Sequence, residues 1–119
     1  MFVDKTEEPM ENNMNLNSTT KVNILLMDAM GALTNTINEL PVRLMLNYPA
    51  TTEDEEVFYT IQLFNPDNRL TSKITGFLDA WENDFAPLLP IRDIFGEWKL
   101  KIELTGSTNR TETFSLILK

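Results

Sequence analysis

The chain has 119 residues, with 18 acidic against 10 basic side chains, a net charge of −8 and a pI near 4.4. It contains no cysteine and no histidine, which removes disulfides, thiolate and imidazole metal sites, and every Ser-His or Cys-His catalytic arrangement. A field of this sign repels phosphate backbones and favours basic partners, so no nucleic-acid partner is expected.

The first twenty residues are polar and rich in Asn, Glu and Met, with no apolar period. They are expected to form a flexible tail (1–20), ahead of a single folded domain (21–119). Asp4, Glu7, Glu8 and Pro9 stand where a secretory leader would need a basic and then an apolar run. That tips the expected location slightly toward the cytoplasm. No apolar run is long enough to span a membrane, so no transmembrane segment is expected.

Residues 22–27 read Val-Asn-Ile-Leu-Leu-Met, a strand apolar enough to be buried on both faces. Residues 28–33 are ambiguous, and the Thr/Asn-rich stretch after them reads as a loop. Between Pro41 and Pro49, residues 42–48 place Val42, Leu44, Leu46 and Tyr48 on one face of a strand. The charged connection 51–56 leads to a strand over 57–64, where Val57, Tyr59, Ile61 and Leu63 alternate with Phe58, Thr60, Gln62 and Phe64. Asn65-Pro66-Asp67-Asn68 is turn chemistry.

Residues 70–78 read as a strand in their first half, with a short helix near 79–85 as the alternative reading. Residues 79–95 contain Pro87 and Pro90 and are expected to form a long, partly buried loop over one end of the sheets. The clearest alternation comes last. Trp98, Leu100, Ile102 and Leu104 alternate with Lys99, Lys101 and Glu103, and after a turn at 105–110 Phe114, Leu116 and Leu118 alternate again. Six or seven short strands at this spacing predict an all-β antiparallel sandwich.

The run Asp93-Ile94-Phe95-Gly96-Glu97-Trp98-Lys99-Leu100 and the strand after it resemble the closing hairpin of immunoglobulin-like sandwiches. That resemblance implies an immunoglobulin-like strand arrangement. In that family a tyrosine hydroxyl near the start of the penultimate strand bonds back to the backbone. Here the aromatic is Trp98, which has no hydroxyl, so the corner is expected to be missing. Residues 22–29, 41–48, 57–64 and 96–118 also fall in an order similar to that of a family of small uncharacterised bacterial β-sandwich proteins. This second resemblance implies a fold and no active site.

Acidic groups are the remaining source of chemistry. Glu53-Asp54-Glu55-Glu56 is contiguous, so alternate side chains diverge, and a solvated loop is the favoured reading over a cation site. Asp79, Glu82, Asp84 and Asp93 match no metal-binding spacing, and as carboxylate pairs they lack a cleft in which to act. No cofactor and no metal are expected, and the chain is read as non-enzymatic. Asn17-Ser18-Thr19 and Asn109-Arg110-Thr111 fit the glycosylation pattern.

The reading that remains is a binding or assembly module acting through protein–protein contacts, with a protein partner or self-association. Two surfaces are candidates. One is the apolar stretch Trp81, Phe85, Leu88 and Leu89. The other is the edge of the terminal strand, with Thr113 and Ser115 on its wet face and only Glu112 as a charge over residues 111–118. The alternative is a carrier of a small apolar ligand, with Phe58, Phe64, Trp81 and Trp98 lining a pocket between the sheets.

Overall fold

The computed structural model describes residues 22–49 and 54–119. Expectations placed on residues 1–20, on Asn17 and on Glu53 fall outside the described residues. Within them the chain forms strands β1 (Asn23–Asp28), β2 (Gly31–Ala32), β3 (Thr36–Ile37), β4 (Val42–Asn47), β5 (Glu56–Phe64), β6 (Leu70–Asp79), β7 (Asp84–Phe85), β8 (Leu88–Leu89), β9 (Gly96–Gly106) and β10 (Arg110–Leu118). No helix occurs among the described residues. The alternative of a short helix near 79–85 gives way to a strand, a turn and a second short strand.

Two sheets face each other. One runs β3-β10-β9-β5-β6, and the other runs β2-β1-β4-β7, with β8 pairing further along β4. The connections after β4, β6 and β8 each cross from one sheet to the other. The closing hairpin lies beside β5, with β6 added at the edge. This is an all-β sandwich whose pairings are antiparallel except where β3 joins β10 in parallel.

The period-two pattern decides which side of each strand is dry. Trp98, Leu100, Ile102 and Leu104 are all buried on β9, as are Val57, Tyr59, Ile61 and Leu63 on β5. Val42, Leu44, Leu46 and Tyr48 face them from the second sheet. The first strand departs from expectation. Leu26 and Asp28 are buried, but Leu25 is 45% exposed, so β1 has one dry face rather than two. Its outer side has no further layer above it among the described residues.

The expected loop over 34–40 hides a core residue. Ile37 is 1% exposed and lies in β3, which pairs parallel to β10 at Ile117 and Leu118. The chain therefore changes sheets between β2 and β3. Asp28 holds this excursion in place. Its carboxylate accepts from the Met30 N–H at 2.8 Å and from the Asn38 N–H at 2.7 Å. Burial pushes its pKa up, but backbone N–H groups at Asn38, Met30, Glu39 and Gly31 outweigh that and leave it below the ordinary 3.8.

β3 also corrects the reading of the terminal strand as an open edge. The Ile117 N–H donates to Asn35 O at 2.7 Å, so the end of β10 is covered. Backbone groups alternate sides along a strand. The N–H groups of Thr111, Thr113 and Ser115 thus point the same way as that of Ile117, and beyond β3 they meet no strand among the described residues.

Trp98 fills the bottom of the core at 1% exposure, and its indole N–H donates to Ile94 O at 2.9 Å. The bond expected to be missing for want of a hydroxyl is thus replaced by one of the same sense, from side chain to backbone four residues upstream. Trp98→Ala is expected to cost about 3–5 kcal/mol in denaturant unfolding. A second expectation concerns Asp28. Because its folded pKa is depressed, its stabilisation is complete above the unfolded value and is lost as pH falls through the folded one. Asp28→Asn should lose about 1–3 kcal/mol at neutral pH, and the gap from the parent protein should close as pH falls below about 4.

Candidate functional site

The segment 79–95 is not a loop over one end. Its residues 83–89 run along the sandwich as a broken edge strand bonded to β4. The Tyr48 N–H donates to Asn83 O at 2.8 Å, Leu46 pairs with Phe85, the Leu44 N–H donates to Pro87 O at 3.0 Å, and Val42 pairs with Leu89. The prolines explain why the sequence reads as loop. An edge strand with one free side tolerates Pro87, which contributes its carbonyl and needs no N–H.

Before β7 the chain turns tightly. The Asp79 carboxylate accepts from the Trp81 N–H at 2.9 Å and the Glu82 N–H at 2.8 Å, while the Asp79 N–H donates to Glu82 O at 3.0 Å. An aspartate bonding to the backbone two and three residues ahead is a standard way to fix a turn. Here it presents Trp81 to solvent at 77% exposure, the most exposed large apolar side chain among the described residues.

The turn stands beside a groove of about 420 Å³ at the seam where β6 of one sheet approaches β7 of the other. Tyr59 and Phe85 form its floor, with ring centroids 5.0 Å apart and planes 18° from parallel. Phe77 and Trp81 form its apolar walls, and Glu82 and Asp84 its acidic rim. Asp84 is steadied by the Asn47 side-chain amide, which donates to it at 2.6 Å. Burial, and secondarily the Glu82 charge, raise the Tyr59 hydroxyl above its ordinary 10.0.

Gly76 makes the floor. It lies opposite Tyr59 in the β5–β6 ladder, and a Cβ there would collide with the Tyr59 hydroxyl oxygen and come 2.6 Å from Cζ. The tyrosine ring lies across the space that a side chain at 76 would fill.

The structure brings together only part of the predicted patch. Trp81 and Phe85 line one groove. Leu88 is 51% exposed but lies on the outer face of the second sheet, opposite Arg43, whose guanidinium bonds to Ala86 O. Leu89 is corrected outright: it is 4% exposed and belongs to the core, because β8 alternates and the neighbour of an outward Leu88 must point in.

Thr113 and Ser115 are exposed on the outer face of the first sheet, opposite Lys101 and Lys99. Thr113 shares a separate groove of about 260 Å³ with Phe64 and these lysines. The four aromatics assigned to a ligand pocket do not converge. Trp98 is buried, Phe58 is 49% exposed on an outer face, Trp81 is in solvent, and Phe64 lines the lysine groove.

Among the acids, Asp79 is committed to the turn, and Asp93 lies toward the far end near Gly96. No group of three or more His, Cys, Asp or Glu that could hold a metal ion occurs among the described residues. No helix there is long and apolar enough to cross a membrane. Asn109 is exposed in the turn between β9 and β10.

Compared with known proteins, the chain matches no family model, and no curated protein matches it.

Sequence reasoning missed Tyr59, Phe77 and Gly76 as parts of this site. The signal for Phe77 was present, since a dry stripe through Ile74, Gly76 and Leu78 puts Phe77 on the wet side. Nothing local could show that Tyr59 covers a glycine on the next strand. Gly76→Val is expected to displace the tyrosine ring and break its stack on Phe85. That should lower stability by about 1–3 kcal/mol and shift the Phe85 and Trp81 signals in an NMR spectrum, whereas Gly31→Ala, far from the groove, should leave those signals in place.

Proposed function

We propose that this chain is a non-enzymatic protein-binding module whose contact surface centres on the Trp81 groove. The observation that carries this is the placement of Trp81. A large aromatic side chain held 77% exposed on a turn fixed by hydrogen bonds is poorly explained by packing. Exposed, rigid aromatics beside a depression are the usual anchors of protein contacts, and tryptophan is the residue type most enriched among them. A volume of about 420 Å³ suits a side chain or short segment of a partner. The absence of His and Cys from the sequence and the use of Asp79 as a turn fixative both favour binding over catalysis.

The stretch of β10 at Thr111, Thr113 and Ser115, which beyond β3 meets no strand among the described residues, is the competing surface, since a sheet edge can take another strand. Trp81→Ser tests the groove, and the double substitution Thr113→Lys with Ser115→Lys tests the edge. Both sets are exposed, so stability should stay within about 0.5 kcal/mol of the parent. Oligomer mass by light scattering and partner recovery by pull-down are then compared. Trp81→Ser is expected to abolish association and the lysine pair to leave it. The opposite pattern moves the contact to the edge, and loss in neither variant removes both surfaces.

A further inference from the structure

The groove's lining names the chemistry of what enters it. Four aromatic rings, Tyr59, Phe77, Trp81 and Phe85, meet two carboxylates, Glu82 and Asp84, and no Lys or Arg lines the groove among the described residues. Neither carboxylate forms an ion pair among the described residues; Asp84 accepts one neutral amide hydrogen from Asn47 on one of its two oxygens. Ring faces attract cations through their quadrupoles, and a cation with planar N–H donors can stack on a ring while donating sideways to a carboxylate. A purely apolar occupant would leave Glu82 and Asp84 desolvated without a partner, which is costly. An anion would be repelled, both by the rim and by the net charge of −8.

From this juxtaposition of aromatic rings and two carboxylates, we propose that the groove receives an arginine side chain of a protein partner, the guanidinium lying against Trp81 and donating to Glu82 and Asp84. This rests on the groove being the contact surface and adds what it recognises. Arginine fits better than lysine, because an ammonium is a compact, strongly hydrated point charge with no plane to stack. It fits better than a quaternary ammonium, which has no hydrogen to give to the carboxylates. The partner is therefore expected to carry an exposed arginine in a basic segment, and the acidic field of this chain draws such a segment in.

The test uses the whole chain, labelled with 15N and titrated with N-acetyl-arginine amide. N-acetyl-citrulline amide is the neutral isostere, and tetramethylammonium chloride and free L-arginine are further arms. Saturable shifts are expected at the Trp81 indole and at the Phe77, Glu82 and Asp84 amides with the arginine amide, and not with citrulline. Trp81→Ser should weaken binding by about tenfold, and Glu82→Gln should weaken it severalfold. Both residues are exposed, so the fold survives either change, as thermal melts will check.

Equal shifts from citrulline, shifts confined to the Lys99 and Lys101 face, tighter binding of tetramethylammonium, or binding indifferent to Trp81→Ser would each overturn the proposal. Free arginine binding more tightly than the blocked amide would make the amino acid itself the ligand and would also overturn it. The two readings fail separately. If Trp81→Ser abolishes partner association while the arginine amide never saturates, the arginine assignment falls and the contact surface stands. If the amide saturates while Trp81→Ser keeps its partner, the contact reading falls and an arginine site remains.

Discussion

The inward stripe of β9 is the constraint on which the rest of the sandwich depends. Trp98, Leu100, Ile102 and Leu104 are each 2% exposed or less, and their strand lies between β5 and β10. Both neighbours are registered against it over most of their length, Leu100 opposite Phe114 on one side and Leu63 on the other. A slip of one residue would turn Lys99, Lys101 and Glu103 into the core. Register is therefore fixed by burial, and once it is fixed the outward residues of three strands are fixed too.

The same register builds the groove. It places Tyr59 on the dry side of β5 and opposite Gly76, so the tyrosine finds room only because residue 76 has no side chain. The ring then reaches the seam between the sheets and stacks on Phe85 of the other one. Core and site are thus continuous. The groove's floor is the end of the hydrophobic layer, and its outer wall is a tryptophan that the Asp79 turn keeps out of that layer. Its acidic rim follows from sequence neighbours, since Glu82 and Asp84 flank the point where the turn becomes β7.

Much of the fold was legible in the sequence, because a strand with one wet face writes its burial into alternate positions. Strands over 57–64 and 96–118 follow that rule closely. What was hidden lacked periodicity. Ile37 sits in a two-residue strand, too short to alternate, and its burial comes from a switch of sheets that Asp28 stabilises through backbone N–H groups. The 79–95 segment read as loop because its pairing with β4 is interrupted by a turn at one end and Pro87 in the middle. Within the predicted patch, exposure of Trp81 and inwardness of Leu89 are indistinguishable by composition; only the turn that carries one and the strand that carries the other decide. The partnership of Tyr59 with Gly76 spans two strands and could be seen only in the register.

The central claim, that Trp81 marks the surface where a partner sits, can be tested by site-specific photocrosslinking. Benzoylphenylalanine is placed at Phe77, in the groove beside an intact Trp81, in one sample and at Thr113 in another, and irradiated adducts are mapped by mass spectrometry. Crosslinks from position 77 to one segment of a partner, competed by excess parent protein, are the expected result. Adducts from position 113 with none from position 77 would contradict the account.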